Sequence, residues 1–167
     1  MVLELRRIRP DDEDEIRIAH QAMIEADNFP FGLSFDDFPI WTDYLARLDA
    51  CSRGPVDGMV RSDLLVGEVD GVIVGRVSLR YELDDFLAHE GGHIGYCVLP
   101  AHRRRGYATE MLRQAIELVR AAGVDRILIT CDDDNVASAG VIERGGGVYE
   151  STVEARDGVS KRRYWIG

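Results

Sequence analysis

A short basic segment between an apolar run and an amphipathic run has the residue types that point most directly to chemistry. Residues 98–110 read VLPAHRRRGYATE, in which Arg103, Arg104 and Arg105 precede Gly106. A helix that begins here has unpaired N–H groups and a positive dipole end, which together favour a phosphate. Glycine lets the backbone approach a ligand closely, and successive N–H groups in such a turn can form a nest. The segment therefore predicts an anion site.

The local charge of this segment runs against that of the whole chain. The 167 residues carry 30 Asp and Glu against 20 Lys and Arg, a formal net charge of −10. Residues 101–120 hold five arginines against two glutamates, a local charge of +3. The segment lacks both the Gly-x-x-x-x-Gly-Lys-Ser/Thr of a P-loop and the Gly-x-Gly-x-x-Gly of a dinucleotide-binding fold. A solvated basic loop is the alternative to an anion site.

A second segment places an asparagine at the start of a short predicted helix. Residues 130–146 read TCDDDNVASAGVIERGG, in which Ser138 stands three positions after Asn135. Asparagine is a preferred N-cap because its side chain accepts a hydrogen bond from the first turn. Capping and binding of a ligand are compatible, so the residue type does not separate them.

Together the two segments resemble the GNAT superfamily of acetyltransferases. Residues 103–108 match its (Gln/Arg)-x-x-Gly-x-(Gly/Ala) acetyl-coenzyme A motif, and residues 98–100 stand where the family has Val-x-Pro. Asn135 with a small residue three positions on matches a second family element. Order and spacing agree over residues 60–150. The resemblance implies one N-acetyltransferase domain over residues 1–167, which uses acetyl-CoA as cosubstrate and no metal.

The resemblance also implies where acetyl-CoA binds. The backbone amides of the basic turn hold the pyrophosphate, and the arginine side chains add positive charge. The edge of the strand at residues 96–98 pairs with the pantetheine arm, as an added strand would. Asn135 and Ser138 bind from the other side. The implied cofactor-binding residues are Tyr96, Cys97, Val98, Arg103, Arg104, Arg105, Gly106, Tyr107, Ala108, Thr109, Asn135 and Ser138.

Such a site supports direct attack of a primary amine on the thioester carbonyl in a ternary complex. Holding both reactants in line lowers the barrier, and a backbone N–H, that of Val98, stabilises the oxyanion. A base must take a proton from the ammonium. His93 and Tyr96 are the candidate bases, with Glu90 just before them, and histidine has the suitable ordinary pKa. Alternation puts His93 and Tyr96 on opposite faces of a regular strand, so only a bulge brings both to one cleft.

The sequence departs from the family at the acid that protonates the leaving thiolate. Many members carry a tyrosine seven residues after the asparagine, and that position is Ile142 here. Tyr107 and Tyr149 lie nearby without positional support, and water is a further alternative. The departure keeps open a second interpretation, a non-catalytic acyl-CoA-binding module.

The elements that must position these residues alternate between helices and strands. Periodicity predicts helices over residues 10–27, from about 39 with Ile40, Tyr44, Leu45 and Leu48 on one face, over 104–122 and over 135–144. Strands are predicted at 2–6, 64–69, 72–79, 93–99, 126–130, 148–155 and 159–165, with two-residue turns at 70–71 and 157–158. The order predicts an α/β (α+β) fold. It is a GNAT-like mixed, mostly antiparallel sheet of six to seven strands flanked by about four helices, with a parallel step across the third helix.

Charge, apolar runs and cysteine content limit which partners and which cell compartment we expect. The acidic surplus argues against nucleic acid, because phosphate neutralisation needs Lys and Arg, although a nucleotide-binding domain built on the basic segment and residues 162–163 remains a rival. No apolar run reaches the ~20 residues of a membrane span, and residues 1–9 lack the apolar stretch of a signal peptide. Three separate cysteines favour a reduced, cytoplasmic protein. The expected partners are acetyl-CoA and an amine, with a homodimer through the C-terminal strands left open.

The acceptor amine is not identified by the sequence. Small amines, amino acids and protein termini or lysines all remain open. In folds of this kind selectivity comes from the first two helices and the loops, here residues 29–58 and 83–92. The acidic run at residues 132–134 is expected to be a solvated turn, with attraction of a cationic amine as the alternative.

Overall fold

The computed structural model describes residues 2–167, which form seven strands and four α-helices. The strands are β1 (Leu3–Arg7), β2 (Ser62–Val69), β3 (Val72–Arg80), β4 (Ile94–Val98), β5 (Ile127–Asp132), β6 (Val148–Glu154) and β7 (Ser160–Ile166). The helices are α1 (Glu13–Asp27), α2 (Trp41–Arg53), α3 (Tyr107–Ala121) and α4 (Val136–Arg144). Within residues 2–167, none of the helices is long and apolar enough to cross a membrane. The predicted mixed α/β class is confirmed.

The strands form two antiparallel sheets. Their order is β1-β2-β3-β4 in the first and β5-β7-β6 in the second, and each pair of bonded neighbours is antiparallel. One backbone hydrogen bond joins the two sheets at the start of β4, from the His93 N–H to the Leu128 oxygen at 2.7 Å. The predicted parallel step across α3 is therefore corrected. A parallel ladder needs evenly spaced bonds, and β4 separates from β5 after this contact.

Tight turns and a pair of glycines fix how α3 lies on the first sheet. Asp70 and Gly71 have φ of 50° and 79°, the left-handed conformations of a type I′ hairpin turn, as predicted. Gly67 of β2 is paired with Gly75 of β3. A Cβ on Gly67 would lie 2.7 Å from the Met111 sulfur, and one on Gly75 2.9 Å from its terminal methyl. The glycines thus let α3 pack closely, which fixes the position of its N-terminus.

Two apolar clusters cover the two faces of the first sheet. One packs α3 and α4 against it, and the other packs α1, α2 and the segment between them on the opposite face. The predicted periodicity of α3 is confirmed by five buried positions on one side of the helix. In α2 Trp41 and the predicted Tyr44 are buried, whereas Ile40 is 60% exposed. The expectation for Ile40 was wrong because this residue is the N-cap and Trp41 begins the helix.

Candidate functional site

The turn before α3 presents its backbone to open space. Arg104 and Gly106 have φ of 61° and 82°, so two residues of the turn lie in the left-handed region. Gly106 is the N-cap of α3, and a Cβ built on it would meet no atom within 4 Å. The first N–H groups of a helix have no partner within it. The conformation of this turn and the adjacent helix end therefore provide the N–H array that an anion binds.

The three arginines of the turn differ in their contacts. The Arg103 Nε donates to the Val98 oxygen at 3.1 Å, and its guanidinium forms an ion pair with Asp27 at the end of α1. Arg104 and Arg105 are exposed and have no ion pair within residues 2–167. The charge of Arg103 is thus compensated by Asp27. The charges of Arg104 and Arg105 are available to a ligand.

One backbone edge of β4 is bonded to β3 and the other faces β5. The Leu99 N–H donates to the Val74 oxygen at 2.9 Å, which places odd-numbered residues of β4 on the β3 edge. Because backbone groups alternate along an antiparallel strand, the N–H and C=O groups of Tyr96 and Val98 point towards β5. Beyond the junction at His93, no backbone bond joins β4 to β5 in the described chain. This edge can therefore accept a strand-like ligand.

His93 marks the closed end of the gap between β4 and β5. In addition to the N–H contact above, its Nδ1 accepts the Leu128 N–H at 2.9 Å. Gly92 has φ of 68°, and a Cβ on it would lie 2.7 Å from the Leu128 oxygen, so only glycine allows this approach. From there β4 leads to the turn before α3. The gap is closed at His93 and opens towards the basic turn.

The hydrogen bond from the Leu128 N–H to Nδ1 determines which nitrogen of His93 carries a proton. A neutral imidazole has one acceptor nitrogen, and here it accepts the Leu128 N–H, so Nε2 carries the hydrogen. Protonation of Nδ1 would set two donors against each other. Burial, with a smaller effect of the Arg80 charge, lowers the pKa of His93. The structure thus places this predicted base at the junction of the sheets, with its lone pair already in use.

Tyr96 reaches from β4 to α4 on the opposite face of the strand. Its Oη lies 2.7 Å from the Ser138 Oγ and 3.3 Å from the Ser138 oxygen. Burial raises the pKa of Tyr96 to about 12, although the Ser138 hydrogen bond opposes the shift. The Ser138 N–H in turn donates to the Asn135 Oδ1 at 3.1 Å, which makes Asn135 the N-cap of α4. The phenol is therefore protonated at neutral pH and can act as a donor.

The other tyrosines considered from the sequence lie elsewhere. Ile142, at the family's tyrosine position, is completely buried. Tyr107 begins α3 and packs against the core beneath it, and Tyr149 is on β6, where it stacks edge-on against Tyr164. Tyr96 is thus the phenol that lies on the strand facing the gap.

A polar stripe on β3 is a feature that sequence reasoning missed. Arg76, Ser78 and Arg80, called here the β3 polar stripe, alternate with residues that face α3. Ser78 is paired with Gly95 of β4. The signal was the polar–apolar alternation of residues 76–80, which by itself indicates an ordinary half-exposed strand. Only the cover provided by α1, α2 and their connection makes these polar residues unusual.

The guanidinium groups of this stripe have carbonyl partners and no carboxylate partner. Arg76, only 1% exposed, donates from Nε to the Phe31 oxygen and from Nη2 to the Pro30 oxygen, both at 2.9 Å. Arg80 donates from Nη1 to the Gly91 oxygen at 3.2 Å. Burial, together with the charge of Arg76, lowers the pKa of Arg80 to about 10. Over residues 2–167 neither guanidinium takes part in an ion pair within 4.0 Å.

A cavity of about 210 Å³ lies beside the stripe and is lined by Ser78 and Arg80. Its other walls come from α2, β2, the α1–α2 connection and residues 84–87, largely the two segments to which the resemblance assigns acceptor selectivity. A larger and more open depression of about 520 Å³ lies near β6 and β7, where Glu150 and Arg163 already pair at 2.7 Å. In the described part of the chain, no three His, Cys, Asp or Glu side chains are placed to hold a metal ion.

Known families and solved structures provide an independent comparison. The family model for the acetyltransferase (GNAT) domain matches residues 3–148, whereas no curated protein sequence matches the chain. RimJ from Mycobacterium smegmatis, in complex with CoA-disulfide, has a TM-score of 0.74 at 22% identity, over 99% of this chain and 81% of that one. The structure of yncA from Salmonella typhimurium with its cofactor acetyl-CoA has a TM-score of 0.66 at 17% identity, over 99% of this chain and 94% of that one. A ribosomal-protein-alanine N-acetyltransferase from Brucella melitensis gives 0.68 at 17% over 99% and 98%. At these identities, the similarity shows a shared fold.

Proposed function

The chain belongs to the GNAT family of acetyltransferases, and on that premise we propose that it transfers the acetyl group of acetyl-CoA to a primary amine. One observation carries the proposal. The unpaired edge of β4 borders the gap between β4 and β5. It runs from the junction at His93 to the exposed turn before α3. A strand edge and an anion site in series fit the two parts of acetyl-CoA, its amide-containing arm and its pyrophosphate.

Acetyl-CoA fits the residues at both ends of this arrangement. The amides of residues 104–109, with the free charges of Arg104 and Arg105, would hold the pyrophosphate. The backbone groups of Tyr96 would pair with the amides of the pantetheine arm. The Val98 oxygen already accepts the Arg103 Nε, which leaves the Val98 N–H for the thioester end of the arm. The bound cosubstrate supplies the activated acetyl group as a thioester. Arg103 has a different role in this proposal, because its ion pair with Asp27 fixes the turn against α1.

The Val98 N–H and the Tyr96 hydroxyl are proposed to serve the chemical step. The lone pair of the neutral amine attacks the carbonyl carbon, and the N–H of Val98 stabilises the oxyanion that forms. With the C–N bond formed, the C–S bond breaks and the thiolate takes the proton of Tyr96. The nitrogen, which is cationic after the attack, releases one proton to water, and the phenolate regains one proton from water. The hydrogen bond of Tyr96 to Ser138 orients the hydroxyl, and thereby offsets the absence of a tyrosine at Ile142.

The ammonium proton is proposed to leave to solvent before the attack. Tyr96 cannot take it near neutral pH, because a phenol with a pKa of about 12 is already protonated. His93 cannot take it without losing the hydrogen bond from Leu128. The acid limb of kcat/KM should therefore follow the pKa of whichever amine is supplied.

Two measurements on the purified protein test this function. Calorimetry with acetyl-CoA should show binding, and a thiol-release assay with a panel of primary amines should show CoA release that depends on the amine. Binding without release for any amine would favour the non-catalytic acyl-CoA-binding module. Absence of acetyl-CoA binding would refute both interpretations.

A further inference from the structure

We propose that the acceptor of this enzyme carries a carboxylate as well as its amine, and that the β3 polar stripe binds this carboxylate. The inference rests on the proposed function, because it specifies the chemistry of the acceptor at the same site. It is carried by two guanidinium groups that converge on Gly95, that of Arg76 buried and that of Arg80 half-buried at the wall of a cavity, and by their free hydrogen-bond donors.

The two guanidinium groups converge on one point of β4. A Cβ built on Gly95 would lie 3.4 Å from the Arg80 Nη1, 3.7 Å from its Nη2 and 3.9 Å from the Arg76 Nη1. Gly95 has no side chain, so nothing at this position separates the groups. Ser78 is paired with Gly95 and adds a hydroxyl between the two arginines. The stripe thus brings two cations and a hydroxyl together above one residue of the strand whose edge borders the gap.

Several donors of this cluster have no partner in the protein. Arg76 uses Nε and Nη2, and Arg80 uses Nη1, all towards carbonyl oxygens. None of these hydrogen bonds uses the Arg76 Nη1, the Arg80 Nη2 or the Ser78 hydroxyl. In residues 2–167 no buried polar side-chain atom lacks a partner, so these donors are accessible rather than sealed in the core. Guanidinium groups present planar pairs of N–H donors that match the two oxygens of a carboxylate. The free donors therefore fit a carboxylate better than a neutral group.

The energetics favour an anion at this position. A buried charge without a counter-charge is costly, and two like charges on one strand face raise that cost. Carbonyl oxygens satisfy part of the hydrogen bonding of Arg76 and Arg80 but supply no formal negative charge. A bound carboxylate would supply it. The hydrogen bonds of Arg76 to Pro30 and Phe31 account for part of the stripe, and a bound carboxylate would account for its uncompensated charge.

The acidic residues on the cavity wall are engaged elsewhere. Asp63 accepts the Tyr81 hydroxyl at 2.5 Å, and Asp84 accepts the Leu87 N–H at 2.8 Å. Asp84 influences Arg80 only through space, without a hydrogen bond. Neither carboxylate forms an ion pair or a hydrogen bond with Arg76 or Arg80 in residues 2–167.

The dimensions of the site limit the acceptor. A cavity of about 210 Å³ is smaller than the roughly 300–1,000 Å³ of pockets for drug-sized ligands, which favours a small group. Gly95 precedes Val98 by three residues, about 10 Å along a strand. The amine and the carboxylate of the acceptor should therefore be separated by several bonds. A free ω-amino acid and a peptide with an acidic N-terminal residue both have this chemistry.

The main experiment compares a series of ω-amino acids from glycine to 6-aminohexanoate, each with its amide. We expect kcat/KM for an acid to exceed that of its amide by about tenfold or more, with the best acid longer than glycine. Peptides that begin with Glu or Gln form a second arm, and their acid-to-amide ratio shows whether the preferred acceptor is a free acid or a terminus. Equal rates for acids and amides in both arms would overturn the inference while leaving the proposed acetyl transfer intact.

Variants separate the carboxylate contact from a general effect on the cavity. Arg80→Gln should abolish the preference for acids. Because Arg80 also donates to the Gly91 oxygen, the KM for acetyl-CoA and the thermal stability of the variant are measured beside it, and a loss of preference larger than any change in that KM supports the proposal. Arg47→Gln is the matched control, because Arg47 borders the same cavity but already pairs with Asp57 at 2.7 Å. A similar loss of preference in both variants would refute a specific role of Arg80. Arg76 is left unchanged, because it also holds Pro30 and Phe31 in place.

A binding measurement makes the test independent of turnover. Hexanoate has the carboxylate but no amine, and hexanamide has neither charge. By calorimetry, hexanoate should bind the wild type and the Arg47→Gln variant at least tenfold more tightly than it binds Arg80→Gln. Equal binding of hexanoate and hexanamide to the wild type would contradict the proposal. If no amine releases CoA but hexanoate binds through Arg80, acetyl transfer fails and the anion site stands.

Discussion

β4 borders two proposed binding regions, one at its backbone edge towards β5 and the other on its face towards α1 and α2. On the side that faces β5, most of the groups proposed to bind acetyl-CoA are backbone groups of β4 and of the turn before α3, to which Arg104 and Arg105 add their charges. On the side that faces α1 and α2, the groups proposed to bind the acceptor are side chains of β3. A backbone site depends on conformation and constrains few residue types, whereas a side-chain site changes with single substitutions. The comparison suggests how one cosubstrate can be combined with different acceptors on one fold.

The largest effect is expected when the Val98 N–H is removed, which tests whether this backbone group stabilises the oxyanion. Replacing the amide N–H of Val98 by an ester oxygen should lower the single-turnover rate of acetyl transfer by about 10²–10³-fold. Thermal stability should change little, because this N–H does not bond to β3. The same replacement at Cys97 is the control, since its N–H lies on the β3 edge. There we expect loss of about 1 kcal/mol of stability and a much smaller loss of rate.

Tyr96 is the exception on the β5 side, because it acts there through its side chain. Tyr96→Phe should lower kcat by about 10²-fold and leave the KM for acetyl-CoA unchanged. A general acid loses activity as the pH rises through its pKa, and burial raises the pKa of Tyr96 to about 12. The kcat of the wild type should therefore show no decline between pH 7 and 10. A decline near pH 10, or an equal effect of Tyr149→Phe, would argue against this role.

Glycines with left-handed φ stand at both ends of α3. Gly106 and Gly123 have φ of 82° and 97°, and a Cβ on either would meet no atom within 4 Å. Replacement by alanine at either position should therefore cost a similar 1–2 kcal/mol of stability, roughly, measured by denaturant unfolding. Only Gly106→Ala should also raise the KM for acetyl-CoA, by about tenfold, because its Cβ would point to where the pyrophosphate is proposed to bind. A tenfold rise for Gly123→Ala as well would remove the distinction.

The same contrast explains what could be predicted from the sequence. The turn before α3 was predicted because three arginines followed by a glycine stand directly before an amphipathic run. The left-handed φ of Gly106 is one that glycine adopts readily, whereas that of Arg104 has no signal in the sequence. The capping role of Asn135 was also within reach. The separation of β4 from β5 was not, because strand runs alone do not show whether neighbouring strands bond. The β3 polar stripe was hidden for a related reason, since its burial depends on helices far away in the sequence.

The proton chemistry was the hardest part to predict. An ordinary pKa makes histidine an attractive base, but the sequence does not show that Leu128 donates to the Nδ1 of His93. The partner of Tyr96 is 42 residues away along the chain. These contacts depend on how β5 and α4 lie against β4, which no local sequence pattern contains.

The unpaired edge of β4 also has a consequence for how the protein behaves at high concentration. A strand with free N–H and C=O groups is a template on which another chain can add, the first step of aggregation. Here the template is only five residues long, from Ile94 to Val98, and is followed at once by Pro100. The net charge of −10 adds repulsion between copies. Any ligand that pairs with this edge therefore acts as a solubilising cap as well as a reactant.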